Sequence, residues 1–227
     1  MGFLEIIGPV MIGPSSSHTA GAARLAKLAA RCWGDAPFSS VTVYLRGSFA
    51  STSAGHGTDK ALVAGLMGLE PDDPGIRTAL ETAEAKNFPY RFEQEDVDGA
   101  HPNSARFVFA GQDGSSMEIV GASVGGGAVE LQEIDGFSVK ITGELPALVI
   151  FHRDVHGVVA AVAARLAERK INIASMTLSR KSRGGLASLV AELDMDGCPG
   201  EYLPGEVGAA HPAIIRVVPL GGRVVGT

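Results

Sequence analysis

After Gly143-Glu144-Leu145-Pro146 the sequence runs strand (Ala147 to His152), helix (about Val158 to Lys170), strand (Ile171 to Arg180) and strand (Leu186 to Leu193). A further segment after Cys198 and a last strand, AIIRVV, complete the series. Few folds accept that order. Strand-helix-strand-strand-helix-strand gives an antiparallel sheet with both helices on one face, the ferredoxin-like arrangement. The helix signal is weakest after Cys198, where the pairs Pro199-Gly200 and Pro204-Gly205 interrupt it.

Upstream of the boundary the texture differs. Phe3 to Pro14 is short, apolar and broken by Gly8-Pro9 and Gly13-Pro14, so it reads as extended chain entering a loop. Ser17 or Thr19 can then cap a helix in which Leu25, Leu28, Ala29 and Cys32 recur at helical spacing. Gly34-Asp35 and Pro37 end it. VTVYLR alternates as a half-buried strand does. GSFASTSAGHGTD, rich in Gly and Ser, is expected to be a loop leading into the apolar KALVAGLMGL. Asp72-Asp73-Pro74 opens a third helix through about Asn87, with carboxylates in its first turn. Strands follow in YRFEQED, SARFVFAGQ, SMEIVGAS and VELQEIDGFSVKITG, separated by Asp-Gly or Gly-rich turns.

Bulk properties exclude whole classes of function. A length of 227 residues favours two domains. The net charge of −6 argues against nucleic acid as a partner, since phosphate binding needs a basic face. The two cysteines, Cys32 and Cys198, match no metal or disulfide spacing. No signal peptide is recognised, and no apolar run approaches the roughly 18 residues of a membrane span. A cytoplasmic protein with no membrane partner is the expectation.

The stretch GPSSSHT carries the densest chemistry. A helix N-terminus presents unpaired N–H groups and the positive end of the dipole, so it receives anions. The hydroxyls of Ser15, Ser16 and Ser17 add donors that rotate to fit a carboxylate. His18 beside them can move a proton near neutral pH. The plain alternative is one capping serine with solvated neighbours. A Ser-His hydrolase is a third reading, although sequence neighbours seldom place a base opposite its nucleophile. His56, with Asp59 after it, and His101, with Asn103 after it, lie in polar stretches at element ends, where functional groups concentrate. GASVGGG allows close backbone approach, but it lacks the strand–GxGxxG–helix context of a dinucleotide site. His152 and His156 are four apart, yet HRDVHG ends in Gly and holds no Glu placed as in a zinc-binding helix. No metal ligands are assigned.

Four motifs together resemble the β subunit of bacterial iron-sulfur-dependent L-serine dehydratase. They are GPVMIGPSSSHTAGAARLA, GHGTDKALVAGLMG, HPN and SVGGG, in that family's order. The C-terminal unit is similar to an ACT domain through LVIFHRDVHGVVAAVAARLAERKINIASMTLSR and GGLASLVAELD. His156 stands where that domain's Asp-x-Pro-Gly turn has proline, while Asp154, Gly157 and Asn172 remain. The implied fold is α+β: an N-terminal α/β domain like an allosteric substrate-binding domain over 1–143, then a ferredoxin-like ACT domain over 144–227.

The implied reaction is the lyase conversion of L-serine to pyruvate and ammonia, with a [4Fe-4S] cluster acting as Lewis acid on the hydroxyl. Such a cluster needs about three or four cysteines, and this chain has two. The resemblance therefore assigns the cluster to a partner α chain. It implies His18 and His56 as catalytic candidates, with the proton-relaying one left open between them. Ser15, Ser16, Ser17, Thr19, His101 and Asn103 are implied to bind substrate. Asp154, Gly157 and Asn172 are implied to bind a regulatory ligand, and the ACT domain to form a homodimer. The N-terminal domain is also similar to the allosteric domain of some phosphoglycerate dehydrogenases, so a non-catalytic amino-acid-sensing subunit is the alternative.

Overall fold

Val41, Val43 and Leu45 point to one face of the first strand, β1 (Phe38–Arg46), and are buried. Tyr44 and Arg46 point to the other, as the period of two requires. The computed structural model describes residues 13, 15–34, 36–200 and 202–221. The extended segment expected over Phe3 to Pro14 lies outside them, Gly13 aside. The chain divides into two compact units, Met1–Gly136 and Phe137–Thr227.

In the first unit the strands lie in the order β2-β1-β3-β4-β5. These are β2 (Tyr90–Gln94), β3 (Asn103–Gly111), β4 (Ser116–Gly125) and β5 (Ala128–Ile134). β1 pairs parallel with β2 and antiparallel with β3. A parallel pair needs a long crossover, and this one contains most of the unit's helices. The apolar face of the sheet carries Phe107, Phe109, Met117 and Ile119, all buried. Against it lies α1 (Ala22–Trp33), whose Leu25, Leu28, Ala29 and Cys32 are buried as its helical spacing predicts. α1 touches α3 (Thr58–Leu66) through small residues. A Cβ on Gly65 would stand 2.1 Å from the Ala23 carbonyl oxygen, so the backbones meet at van der Waals distance.

The Gly/Ser-rich stretch is not a loop. Gly47–His56 forms a helix, α2, directly after β1. Gly47 leaves the strand at φ +50°, a conformation other residues resist, and so turns the chain at once into the helix. The amides of Ser48 and Phe49 both donate to the Pro102 carbonyl, at 2.7 and 3.3 Å, which satisfies first-turn donors. Phe49 is fully buried and anchors the segment. Tertiary contacts thus override a weak local helix signal.

The third expected helix begins as a 3₁₀ turn, Pro74–Thr78, capped by Asp73 Oδ1 accepting from Gly75 N at 2.7 Å. It continues as α4 (Ala79–Ala85) and stops before Asn87, which adopts φ +50°. On the outer sheet face, Glu95 pairs with both Arg46 and Arg106 at 2.7 Å, and Arg106 also reaches Glu118 at 3.0 Å. The Arg106 guanidinium stacks 3.9 Å over the Tyr44 ring.

The run VELQEIDGFSVKITG breaks at Asp135-Gly136, where φ is +51° and +74°. Its second half, β6 (Phe137–Ile141), opens the second unit, and the turn Gly143 to Pro146 follows it. Beyond come β7 (Ala147–Arg153), α5 (Val158–Glu168), β8 (Asn172–Arg180) and β9 (Leu186–Asp194). α6 (Tyr202–Gly208) and β10 (Ile214–Leu220) complete the unit. The four-stranded sheet has the order β10-β7-β9-β8 with every pairing antiparallel. Val162 and Leu166 of α5 and Leu203 and Val207 of α6 share one core with Leu148, Ile150, Leu189 and Leu193. Both helices therefore cover one face. α6 tolerates Pro204 because it sits in the first turn, where an amide has no intrahelical partner to lose. Among the described residues no helix is long and apolar enough to cross a membrane.

Candidate functional site

Ser15 caps the first helix with extended backbone, φ −136° and ψ 124°, and its Oγ accepts from His18 N at 3.2 Å. Ser16–Gly21 then wind as a π-helical turn that runs straight into α1. Such turns are rare and concentrate at functional sites. Packing favours this one: a Cβ on Gly21 would fall 2.0 Å from Ser123 Oγ, so only glycine lets β4 press on the turn. Arg24 Nη1 donates to the Gly127 carbonyl at 2.9 Å and ties α1 to the same hairpin. The Gly-rich stretch SVGGG thus approaches the chain's own helix.

The turn presents His18 between two hydroxyls. Ser15 Oγ lies 3.2 Å from Nδ1 and Ser48 Oγ 2.9 Å from Nε2. His56, the last residue of α2, meets the ring edge to face with centroids 5.0 Å apart, and Phe49 flanks it at 5.6 Å. Burial, and secondarily the charge of His56, hold His18 below the ordinary histidine pKa. A ring kept neutral can accept a proton.

Of the expected site residues, His18, His56 and Ser15 converge. Ser16 and Ser17 lie half-buried on the same turn. Thr19 is buried, and its Oγ1 has no hydrogen-bond partner among the described residues. His101 and Asn103 act first on their own loop. Asn103 N donates to His101 Nδ1 at 3.1 Å, and Ser104 Oγ donates to the His101 carbonyl at 2.6 Å. That folded loop delivers the Pro102 carbonyl to the start of α2, while Asn103 Oδ1 is buried without a partner among the described residues. Asp59 accepts from Lys60 N at 2.8 Å at the start of α3. Sequence alone does not single out Ser48, because its Gly/Ser-rich surroundings carry no clear helical period. Its one signal was its place just after Gly47 at the end of VTVYLR.

Among the described residues no three His, Cys, Asp or Glu side chains converge as metal ligands. Cys32 is wholly buried in α1 and Cys198 belongs to the second unit, so the chain's cysteines do not fit an iron-sulfur cluster.

In the second unit Asp154 Oδ2 accepts from Arg180 Nη1 at 3.0 Å and from Gly184 N at 3.1 Å. Gly157 precedes α5 at φ +88°. Asn172 Nδ2 donates to Asp194 Oδ2 at 2.6 Å, at the other end of β8 from Arg180. One chain therefore does not bring Asn172 to Asp154 and Gly157. His152 is the penultimate residue of β7, buried, and His156 lies in the following turn, so the two do not share a helix face.

The family model for the serine dehydratase beta chain matches residues 5–88. The chain is 43% identical over 192 residues to the "Probable L-serine dehydratase, beta chain" of Bacillus subtilis (strain 168), covering 85% of this chain and 86% of that protein. It is 37% identical over 191 residues to the "L-serine dehydratase, beta chain" of Peptoniphilus asaccharolyticus, covering 84% and 86% respectively. It is also 36% identical over 120 residues to a D-3-phosphoglycerate dehydrogenase of Methanocaldococcus jannaschii, covering 53% of this chain and 23% of that one.

Proposed function

The chain belongs to the family of L-serine dehydratase β chains, and from that membership we propose that it joins an α chain to convert L-serine to pyruvate and ammonia in the cytoplasm. The observation that carries this reading is the capped turn. Ser15 and His18 sit at a helix start, with His56 against the imidazole and Ser16 and Ser17 beside it. The hydroxyls and the helix N-terminus suit a substrate carboxylate. His18 or His56 receives or relays the α-proton. The [4Fe-4S] cluster, which supplies Lewis acidity toward the β-hydroxyl, is assigned to the α chain, because two cysteines cannot ligate it.

The second unit is read as an ACT domain on its strand order, with β8 as an exposed edge that pairs only with β9 among the described residues. Antiparallel pairing of two β8 edges about Met176 would set Asn172 of one copy beside Arg180 and Asp154 of the other. That arrangement completes the regulatory site across a homodimer.

The test is anaerobic reconstitution with an α chain. At least one of His18→Ala and His56→Ala should cut serine turnover about 100-fold or more, the usual scale of general acid–base loss. Unchanged turnover in both overturns the catalytic assignment. The relation to phosphoglycerate dehydrogenases favours a second reading, an amino-acid-sensing subunit without catalysis. It predicts serine binding by this chain and no turnover with any α chain.

A further inference from the structure

We propose that Ser48 is a substrate-binding hydroxyl that is oriented by His18, an inference that rests on the serine dehydratase reading and extends its site. Ser15 Oγ already accepts the His18 backbone amide at 3.2 Å. In the proposed arrangement its own hydrogen is the donor to Nδ1, also at 3.2 Å. The ring proton in that arrangement sits on Nε2, which donates to Ser48 Oγ across 2.9 Å. With its oxygen accepting from the imidazole, Ser48 turns its O–H away from the ring.

The rest of Ser48 is committed elsewhere. Its amide donates to the Pro102 carbonyl at 2.7 Å, and its carbonyl accepts from Thr52 Oγ1 at 2.7 Å. The residue cannot drift, since a Cβ on the preceding Gly47 would stand 2.8 Å from the Pro102 Cα. The HPN loop therefore acts through its backbone: it holds Ser48 so that one hydroxyl hydrogen is left for a ligand. Ser48 is half-buried, near Ser15 through their shared imidazole, and the ligand chemistry that fits a fixed O–H beside a neutral imidazole is a carboxylate oxygen.

Two measurements decide the matter. In the reconstituted two-chain enzyme, Ser48→Ala should raise KM for L-serine about tenfold, the loss of one hydrogen bond to a charged group, with a smaller change in kcat. Ser48→Thr, which keeps the hydroxyl, should restore most of it. In the isolated full chain, ¹⁵N spectra of the imidazole should show His18 as the Nε2–H tautomer in the wild type and a shifted tautomer balance in Ser48→Ala. An unchanged KM in Ser48→Ala, or an Nδ1–H tautomer in the wild type, overturns the proposal. An inactive wild-type pair would sink the enzymatic reading alone, and the tautomer would still decide for or against the orienting bond to Ser48.

Discussion

The imidazole rings of His18 and His56 meet edge to face with centroids 5.0 Å apart, although 37 residues of sequence lie between them. A charged imidazole this close disfavours a charge on His18. Burial lowers the His18 pKa most, and the His56 charge lowers it further. His56→Gln removes the second cause and leaves the first. The His18 midpoint, followed by NMR titration, should rise but stay below the ordinary value of about 6.5. The stability sign follows: the unfolded chain binds this proton more readily. The His18 contribution is therefore present above the ordinary histidine value and is lost as pH falls through the lower folded one.

Gly21 and Ser123 interlock so closely that a methyl group cannot enter. Gly21→Ala places a Cβ 2.0 Å from Ser123 Oγ and 2.8 Å from its Cβ. Overpacking of this kind costs about 1–3 kcal/mol. Urea unfolding should show that loss, and Ser123→Gly in the same chain should recover most of it. Equal losses in the single and double variants would mean that the two residues do not press on each other.

Glu95 holds two guanidiniums at once and is itself well shielded, with a side chain 19% exposed. The hydrogen bonds from Arg106, then those from Arg46, pull its carboxyl below the ordinary range. Glu95→Gln should destabilise the chain by about 1.5–3 kcal/mol, the scale of hydrogen bonds to a charged group. Its effect is present above the unfolded carboxyl value and is lost as pH falls through the folded one. Unfolding midpoints of wild type and variant should therefore converge in acid.

Leu178 stands 48% exposed on the β8 edge. If two copies pair there about Met176, Leu178→Lys sets an unpaired charge in the seam, opposite Ala174 of the second copy. Light scattering should report a monomer for the variant and a dimer for the wild type. A dimer of unchanged affinity would place the contact elsewhere.

Much of the fold was legible because burial imprints a period. Leu25, Leu28, Ala29 and Cys32 declared α1, and Val41, Val43 and Leu45 declared β1, since each pattern has one structural solution. The order of elements from Ala147 to Val218 likewise left few sheets to build. Leu203 and Val207 show the margin: two buried anchors carry α6 through a Pro-Gly pair that argued against it.

The candidate site was legible as residue types, and only in part as geometry. The sequence determined that hydroxyls and imidazoles gather in GPSSSHT, HGTD and HPN, and that two cysteines cannot hold a cluster. Only the tertiary structure decided that Gly47–His56 is a helix, because its first amides are satisfied by Pro102, far away in the chain. That one contact swings Ser48 onto His18 and carries His56 to its edge. Local sequence encodes local period, whereas a hydrogen bond between distant residues exists only once the sheet has brought both ends together.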